Sequence, residues 1–182
     1  MTPRLMLAAA LLATSACSDS QLGDAASSNV VDTITLGALN GAALTVPAAF
    51  SITAGITVRT DQSSSFDFAY DILPGKGPSL LPLSALGLSG GGSTNPALQK
   101  VTTAFDDLKE GPTNGWNQTD TVPIAVGDVI AGRSRATCYL GVPQYAKLQV
   151  LSFDQVAKTV DLKVLANVNC GYRNLEPGIS RN

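Results

Sequence analysis

The sequence of 182 residues contains no histidine. This excludes Ser-His and Cys-His nucleophilic catalysis and removes the commonest protein ligand of zinc and haem iron. Charged residues are also few, at 14% of the chain, and the formal net charge is −2. A weakly acidic chain lacks the basic surface that holds nucleic-acid phosphates, so no nucleic-acid partner is expected. The hydrophobic fraction of 45% is ordinary for a globular protein, which predicts a domain with a buried core.

Long hydrophobic runs are absent except near the N-terminus. Arg4 supplies a positive charge, Leu5 to Ala13 form an unbroken apolar run, and Thr14 to Ala16 are small. This order is typical of a secretory signal peptide. The run is too short for a membrane-spanning helix, which needs about 20 apolar residues. We therefore predict a signal peptide over residues 1–16.

A cysteine follows these small residues directly. Thr14-Ser15-Ala16-Cys17 resembles the lipobox of bacterial lipoproteins, with Thr14 where an aliphatic residue is usual. The resemblance implies lipidation of Cys17 and attachment to a membrane, and several acyl chains give stable anchoring. Ser18 resembles an outer-membrane sorting signal, so the expected location is the bacterial outer membrane, on its periplasmic or its outer face. Ordinary signal-peptide cleavage before an unmodified Cys17 is the alternative.

Cysteine is scarce, and its count fits this prediction. Of the three cysteines, lipidation of Cys17 leaves Cys138 and Cys170 to form a disulfide. Closing a loop of about 32 residues stabilises a fold by roughly 3–4 kcal/mol in the chain-entropy model. A closed zinc site is the competing use of cysteines, but it needs four ligands, and the chain offers neither histidine nor a further thiol. We expect no metal site and no cofactor.

The mature chain divides into a tether and one domain. Residues 17–29 are small and polar, which predicts a flexible tether, and residues 30–182 are predicted to fold as a single β-rich domain. Residues 144–153 and 159–168 alternate apolar and polar side chains and predict a hairpin. The predicted inward residues of this hairpin are Ala146, Leu148, Val150, Val160, Leu162 and Val164. We predict an antiparallel β-sandwich-like domain.

Residues 65–73 are predicted to form a half-buried strand. Four large side chains alternate along it and are predicted to face the core: Phe66, Phe68, Tyr70 and Ile72. On the same pattern, Asp67 and Asp71 are predicted to face solvent.

One α-helix is predicted to cover the sheet at about residues 95–110. Asn95 suits an N-cap, Pro96 suits the first helical position, and Gly111 would end the helix. The apolar residues at helical spacing are Leu98, Val101, Phe105 and Leu108.

Residues 61–65 match the spelling of a known metal-binding motif. Asp61-Gln-Ser-Ser-Ser65 has the D-x-S-x-S spacing that holds a divalent cation in von Willebrand A-type domains. The chain lacks the alternation of strands and helices that such a domain needs, and Asp and Ser are common in turns. A turn is therefore the preferred interpretation.

Two segments resemble the HmuY-like haem-binding lipoproteins of bacterial outer membranes. Residues 65–70 (SFDFAY) are similar to an early strand of that family, and residues 145–152 (YAKLQVLS) are similar to a late one. The resemblance implies an all-β, lipid-anchored envelope protein. The family holds haem iron with two histidines or two methionines. This chain has no histidine, and both of its methionines, Met1 and Met6, lie in the predicted signal peptide.

The function predicted from the sequence is a non-enzymatic binding or interaction module with an unknown small-molecule or protein ligand. Its candidate contact residues are Trp116, Tyr139, Tyr145, Tyr172, Arg133 and Arg135. Aromatic residues and arginines often carry contact energy, whereas core packing and solvated surface charge are the alternatives. Two other functions are possible: a hydrolase in which carboxylates such as Asp67 and Asp128 converge, and a purely structural envelope lipoprotein.

Overall fold

The computed structural model of the protein describes residues 23–88 and 94–180. The predicted signal peptide, Cys17 and the first part of the tether lie outside these residues. Most of the glycine-rich loop that precedes the predicted helix, residues 89–93, also lies outside them.

Nearly all regular structure in the described residues is β-strand. The strands are Ser28–Asn29 (β1), Val31–Gly37 (β2), Ala49–Ser51 (β3), Ile56–Val58 (β4), Phe68–Leu73 (β5), Gly77–Pro82 (β6), Ala97–Val101 (β7), Val122–Pro123 (β8), Val129–Arg133 (β9), Tyr145–Asp154 (β10), Thr159–Asn167 (β11) and Gly178–Ile179 (β12). One turn of 3₁₀-helix, Leu83–Leu86, follows β6.

Two antiparallel sheets pack face to face and confirm the predicted β-sandwich. Sheet I has the strand order β2-β11-β10-β9-β7, and sheet II has the order β4-β3-β5-β6-β8. A small third sheet pairs β1 with β12. The main core between the two large sheets contains buried apolar residues from both, among them Phe50, Phe68, Tyr70, Leu80, Ile130 and Leu148.

The long hairpin of sheet I forms as its alternation predicts. β10 pairs with β11 from Tyr145 opposite Asn167 to Asp154 opposite Thr159. All six predicted inward residues lie in the main core. The pairing is irregular between Val150 and Ser152, where one extra residue of β10 forms a bulge.

The predicted covering helix at 95–110 is wrong. Residues 97–101 form β7, an edge strand that pairs with β9, and no α-helix occurs within the described residues. Leu98 lies in the main core, whereas Val101 packs on the outer face of sheet I. A spacing of three residues, which shares a face on a helix, puts side chains on opposite faces of a strand.

The predicted solvent face of β5 is also wrong, because Asp67 and Asp71 are both buried. Phe68, Tyr70 and Ile72 do face the main core. Phe66 precedes the strand and joins a separate apolar cluster with Ala49, Val58, Ala69 and Leu83. This cluster excludes water from the side of β5 that the alternation assigns to solvent.

The chain segment before β2 is held to the C-terminal segment. Asn169 accepts hydrogen bonds from the backbone N–H groups of Ala26 and Ser27, at 3.0 and 2.9 Å. The Asn29 amide donates to the carbonyl oxygen of Glu176 at 3.0 Å and to the Ser180 hydroxyl at 3.3 Å. The described part of the predicted tether is therefore bound to the domain.

The contacts between the segment before β2 and the C-terminal segment lie at one end of the sandwich, which we call the entry end. The antiparallel register places Tyr145, the first residue of β10, opposite Arg133 and opposite Asn167, the last residues of β9 and β11. The predicted disulfide between Cys138 and Cys170, two residues that follow those two strands, is confirmed, with Cα atoms 5.8 Å apart. The opposite end, which we call the far end, contains the turn between β10 and β11.

Candidate functional site

A cavity of about 530 Å³ opens beside strand β4, at the edge of sheet II. Its wall combines apolar side chains, hydroxyl groups and two arginines. The lining residues are Ser51, Thr53, Ala54, Ile56, Thr57, Val58, Arg59, Gln62, Ser63, Ser65, Arg135 and Thr137. Small-molecule sites have volumes of about 300–1,000 Å³ and a similar mixture of apolar surface with a few polar groups. This cavity is the candidate binding site.

The buried carboxylate of Asp67 fixes the positions of two walls of the cavity. Its Oδ2 accepts the backbone N–H of Ile52 at 2.7 Å and that of Thr53 at 3.3 Å, which fixes the turn between β3 and β4. Its Oδ1 accepts the backbone N–H of Arg135 at 3.1 Å. The side chain of Asp67 is 1% exposed. Burial raises the pKa of this carboxyl, while the three backbone hydrogen bonds and the charge of Arg135 act to lower it.

Both arginines at the cavity lie near carboxylates. The Arg59 guanidinium is 2.6 Å from an oxygen of Asp61, and this hydrogen bond lowers the pKa of the Asp61 carboxyl. Nε of Arg135 lies 3.9 Å from Asp67, and another guanidinium nitrogen donates to the carbonyl oxygen of Phe66 at 2.7 Å. A carboxylate therefore lies beside each of the two positive charges in the cavity wall.

A polar group in the cavity wall lacks a partner. The buried hydroxyl of Thr53 has no hydrogen-bond partner among the described residues. Buried polar groups are nearly always hydrogen-bonded. Because this hydroxyl has essentially no accessible surface, a ligand in the cavity reaches it only if the wall moves.

Most residues of this cavity carry no signal of a site in the sequence. The chain turns back between β3 and β4, where Gly55 has a φ of 69°, which favours glycine. The run of β-branched residues around Gly55 indicated strand but did not indicate which side chains would border a cavity.

Trp116 and Arg133 come together on the other side of the molecule, at the outer face of sheet I. The Arg133 guanidinium lies over the Trp116 ring at 5.1 Å, and this ring is 6.1 Å from the ring of Tyr145. Burial lowers the pKa of Arg133. Arg133 thus stacks on an aromatic residue, whereas Arg135, two residues later, borders the cavity.

The other two candidate tyrosines have different environments. Tyr172 is buried, and its hydroxyl donates a hydrogen bond to the carbonyl oxygen of Gly23. Tyr139 lies in the turn closed by the disulfide, and it is 78% exposed. Only Tyr139 is available to a partner.

The carboxylates considered for hydrolysis lie in separate environments. Asp128 accepts the backbone N–H of Ala125 at 2.7 Å and forms an ion pair with Lys100, and it shares none of the contacts of Asp67 described above. Within residues 23–88 and 94–180, no three metal-ligating side chains form a group that could hold a metal ion. Asp61 of the D-x-S-x-S motif pairs with Arg59 instead.

Comparison with protein-family models, with curated proteins and with solved structures gives no match to this chain. In the part of the chain that the structure describes, no helix is long and apolar enough to cross a membrane.

Proposed function

We propose that this protein is a lipid-anchored binding protein of the bacterial cell envelope, and that it takes a small, uncharged, amphipathic molecule into the cavity beside β4 without transforming it. The observation that carries the proposal is the cavity itself, with its volume and mixed lining. The lipobox-like sequence at Cys17 supports the anchor, and the resemblance to HmuY-like lipoproteins supports an envelope binder.

The ligand chemistry follows from the wall. Ala54, Ile56 and Val58 offer an apolar surface, and hydroxyl-bearing residues of the wall such as Ser63 and Ser65 offer hydrogen bonds. An anionic ligand would have to compete with Asp61 or Asp67 for an arginine, and displacing Asp67 would leave a buried carboxylate without the nearby positive charge.

Mass spectrometry of the native protein, extracted from its own membrane, tests this function. We expect one small molecule to remain bound to the wild-type protein. Ala54→Phe fills the cavity from the exposed β3–β4 turn and should remove that molecule. Val156→Phe is the matched control, because Val156 lies in the β10–β11 turn at the far end and is 94% exposed.

Two results would contradict the proposal. One is a wild-type protein that carries no small molecule after native extraction. The other is a bound molecule that survives equally in the Ala54→Phe and Val156→Phe variants, since it would then occupy another site. Equal thermal midpoints for the two variants show that any loss is local to the cavity.

A further inference from the structure

The first described residues lie at the same end of the sandwich as the cavity. Gly23 is bound by Tyr172, and residues 26 and 27 are bound by Asn169, which is adjacent to Cys170 of the disulfide. The cavity includes Thr137, next to the other half of that disulfide. The β3–β4 turn also reaches this end, because Gly55 lies against the side chain of Val168 just beyond β11. All these groups belong to the entry end.

The distance between the predicted anchor and this end is short. Six residues separate Cys17 from Gly23 in numbering, and a fully extended chain spans at most about 20 Å over that length. Strand β10 has ten residues, so the far end lies about 30 Å further away along the sheet. An anchored protein is therefore held by its entry end.

The entry end presents an exposed apolar turn. Tyr139 and Leu140 are both exposed, in a turn that the backbone hydrogen bond from Gly141 to the Cys138 carbonyl closes at 2.8 Å. The Cys138–Cys170 disulfide joins this turn to the segment after β11. Residues 136–146 include no charged side chain, so the turn itself brings no charge into an apolar phase. Tyrosine is enriched where a membrane meets water, since its ring is apolar and its hydroxyl is polar.

We propose that the turn Cys138–Gly141 is a membrane-contacting element, with Tyr139 and Leu140 at the lipid–water boundary of the bilayer that holds the anchor. This inference rests on the lipid anchor of the proposed function. The contact orients the sandwich with its cavity toward the bilayer. Because the turn is uncharged, the contact needs neither anionic lipid nor low salt.

Fluorescence quenching by brominated lipids tests this orientation. Trp116 is the only tryptophan, so Trp116→Phe provides a background in which Tyr139→Trp is the single probe. The full-length lipidated protein is reconstituted into phosphatidylcholine vesicles with brominated acyl chains. We expect strong quenching at position 139, unchanged by salt, and none for Val156→Trp in the same background. Leu140→Trp provides a second probe of the turn, and circular dichroism confirms the fold of each variant.

The outcomes separate this inference from the proposed function. If the protein floats with the vesicles but the probes at 139 and 140 are not quenched, or are quenched no more than the probe at 156, the membrane contact is refuted and the anchor stands. If the wild-type protein takes up no labelled fatty acid and does not float, the anchor itself fails, and this inference fails with it. Cys17→Ser is the negative control for both measurements.

Discussion

Asp67 links three parts of the chain through one side chain. It fixes the β3–β4 turn, the start of β5 and the segment at Arg135, and it is the most deeply buried carboxylate described above. In Asp67→Asn, one carboxylate oxygen becomes an NH₂ group that faces backbone N–H donors and Arg135. We expect the free energy of unfolding to fall by about 2–3 kcal/mol, because at least one buried backbone N–H group loses its acceptor. Urea unfolding measures this change, and Asp61→Asn, at an exposed pair, should cost less, because solvent screens an exposed ion pair.

The pH dependence of stability gives a second measurement on Asp67. Burial raises the pKa of this carboxyl in the folded state, so the folded protein binds a proton more readily than the unfolded one. The stability that this group contributes is fully present below pH 3.8, the ordinary pKa of an Asp carboxyl. It is lost as the pH rises from 3.8 through the higher pKa of Asp67 in the folded protein. Asp67→Asn should lack this loss of stability with rising pH. An unchanged pH profile in the variant would show that Asp67 does not titrate in this way.

The two Asn-Gly pairs should differ in spontaneous deamidation. The backbone nitrogen of the glycine attacks the asparagine side-chain carbonyl, ammonia leaves, and water opens the resulting ring to aspartate or isoaspartate. The side chain of Asn40 donates to Asp71 at 2.6 Å. Asn114 is exposed, and no side-chain hydrogen bond holds it among the described contacts. In the folded protein we expect Asn114 to react about tenfold faster than Asn40. A tenfold ratio corresponds to ~1.4 kcal/mol, which is near the lower limit of what a hydrogen bond to a charged group contributes.

Peptide mapping after incubation at neutral pH measures both rates. The chain unfolded in guanidinium is the matched control. The hydrogen bond from Asn40 to Asp71 is then absent, so the deamidation rates of Asn40 and Asn114 should converge. Asn114→Gln should abolish the faster reaction without altering the fold. Equal rates in the folded protein would contradict protection by Asp71.

The limits of sequence reasoning at this scale are visible in β5. Its alternation correctly placed Phe68 and Tyr70 in the core, because a strand has a period of two. The burial of Asp67 could not be predicted, since it depends on the cluster around Leu83 that covers the other face of the sheet. The charge of Arg135 marks it as a candidate, but its neighbours in the cavity, apart from Thr137, come from residues 51–65, which lie far away in the sequence.

At the scale of elements, the irregular segment after β7 is held by a buried lysine. Nζ of Lys147 donates to the carbonyl oxygens of Phe105 and Leu108 at 2.7 and 3.1 Å, and it lies 4.5 Å from the centre of the Phe105 ring. The residue is 2% exposed, and burial lowers the pKa of its ammonium group. In a helix, backbone N–H groups would donate to these carbonyl oxygens. Here the segment is not helical, and Lys147 donates to them instead.

Replacing this lysine should loosen the segment. Lys147→Met keeps the apolar stem but leaves the two carbonyl groups without donors, and we expect a loss of about 2–3 kcal/mol in unfolding free energy. Lys163→Met is the control: Lys163 lies over the same ring at 4.3 Å, but it pairs with the exposed Asp106, so its loss should cost less than about 1 kcal/mol. Thermal unfolding measures both, and equal losses would refute the special role of Lys147.

The same segment shows why one element was predicted wrongly and another correctly. The β10–β11 hairpin has local pairing and a consistent alternation, so its register follows from the sequence. Residues 95–110 have a helical spacing only by coincidence, because Leu98 and Phe105 belong to different clusters on opposite faces of sheet I. The paired residues of β7 and β9 lie about 30 positions apart, from Ala97 opposite Arg133 to Val101 opposite Val129. The spacing of apolar residues within β7 does not show which distant strand it will pair with.

For the whole molecule, the resemblance to a haem-binding family leads to a negative prediction. The chain has no histidine, its methionines lie in the predicted signal peptide, and Cys138 and Cys170 are joined. Tyrosine is the ligand that is left, but burial raises the pKa of Tyr70, which disfavours a phenolate there. We expect haem titration to give no sharp Soret shift and no saturation at one equivalent. A tight one-to-one complex that a single Tyr→Phe substitution abolishes would refute this expectation.

The attachment of the N-terminal segment has a mechanical consequence. Force that reaches the domain through the tether meets the contacts of Gly23, Ser27 and Asn29 one after another, so they peel in sequence at low load. Strand β2 starts at the entry end and pairs with β11 over seven residues, so it is pulled in shear, with its pairs loaded together. Peeling residues 23–29 frees a segment that spans at most about 25 Å when fully extended, before sheet I bears the full tension. If the protein is anchored as proposed, this segment yields to a pull on the tether before the sandwich and its cavity do.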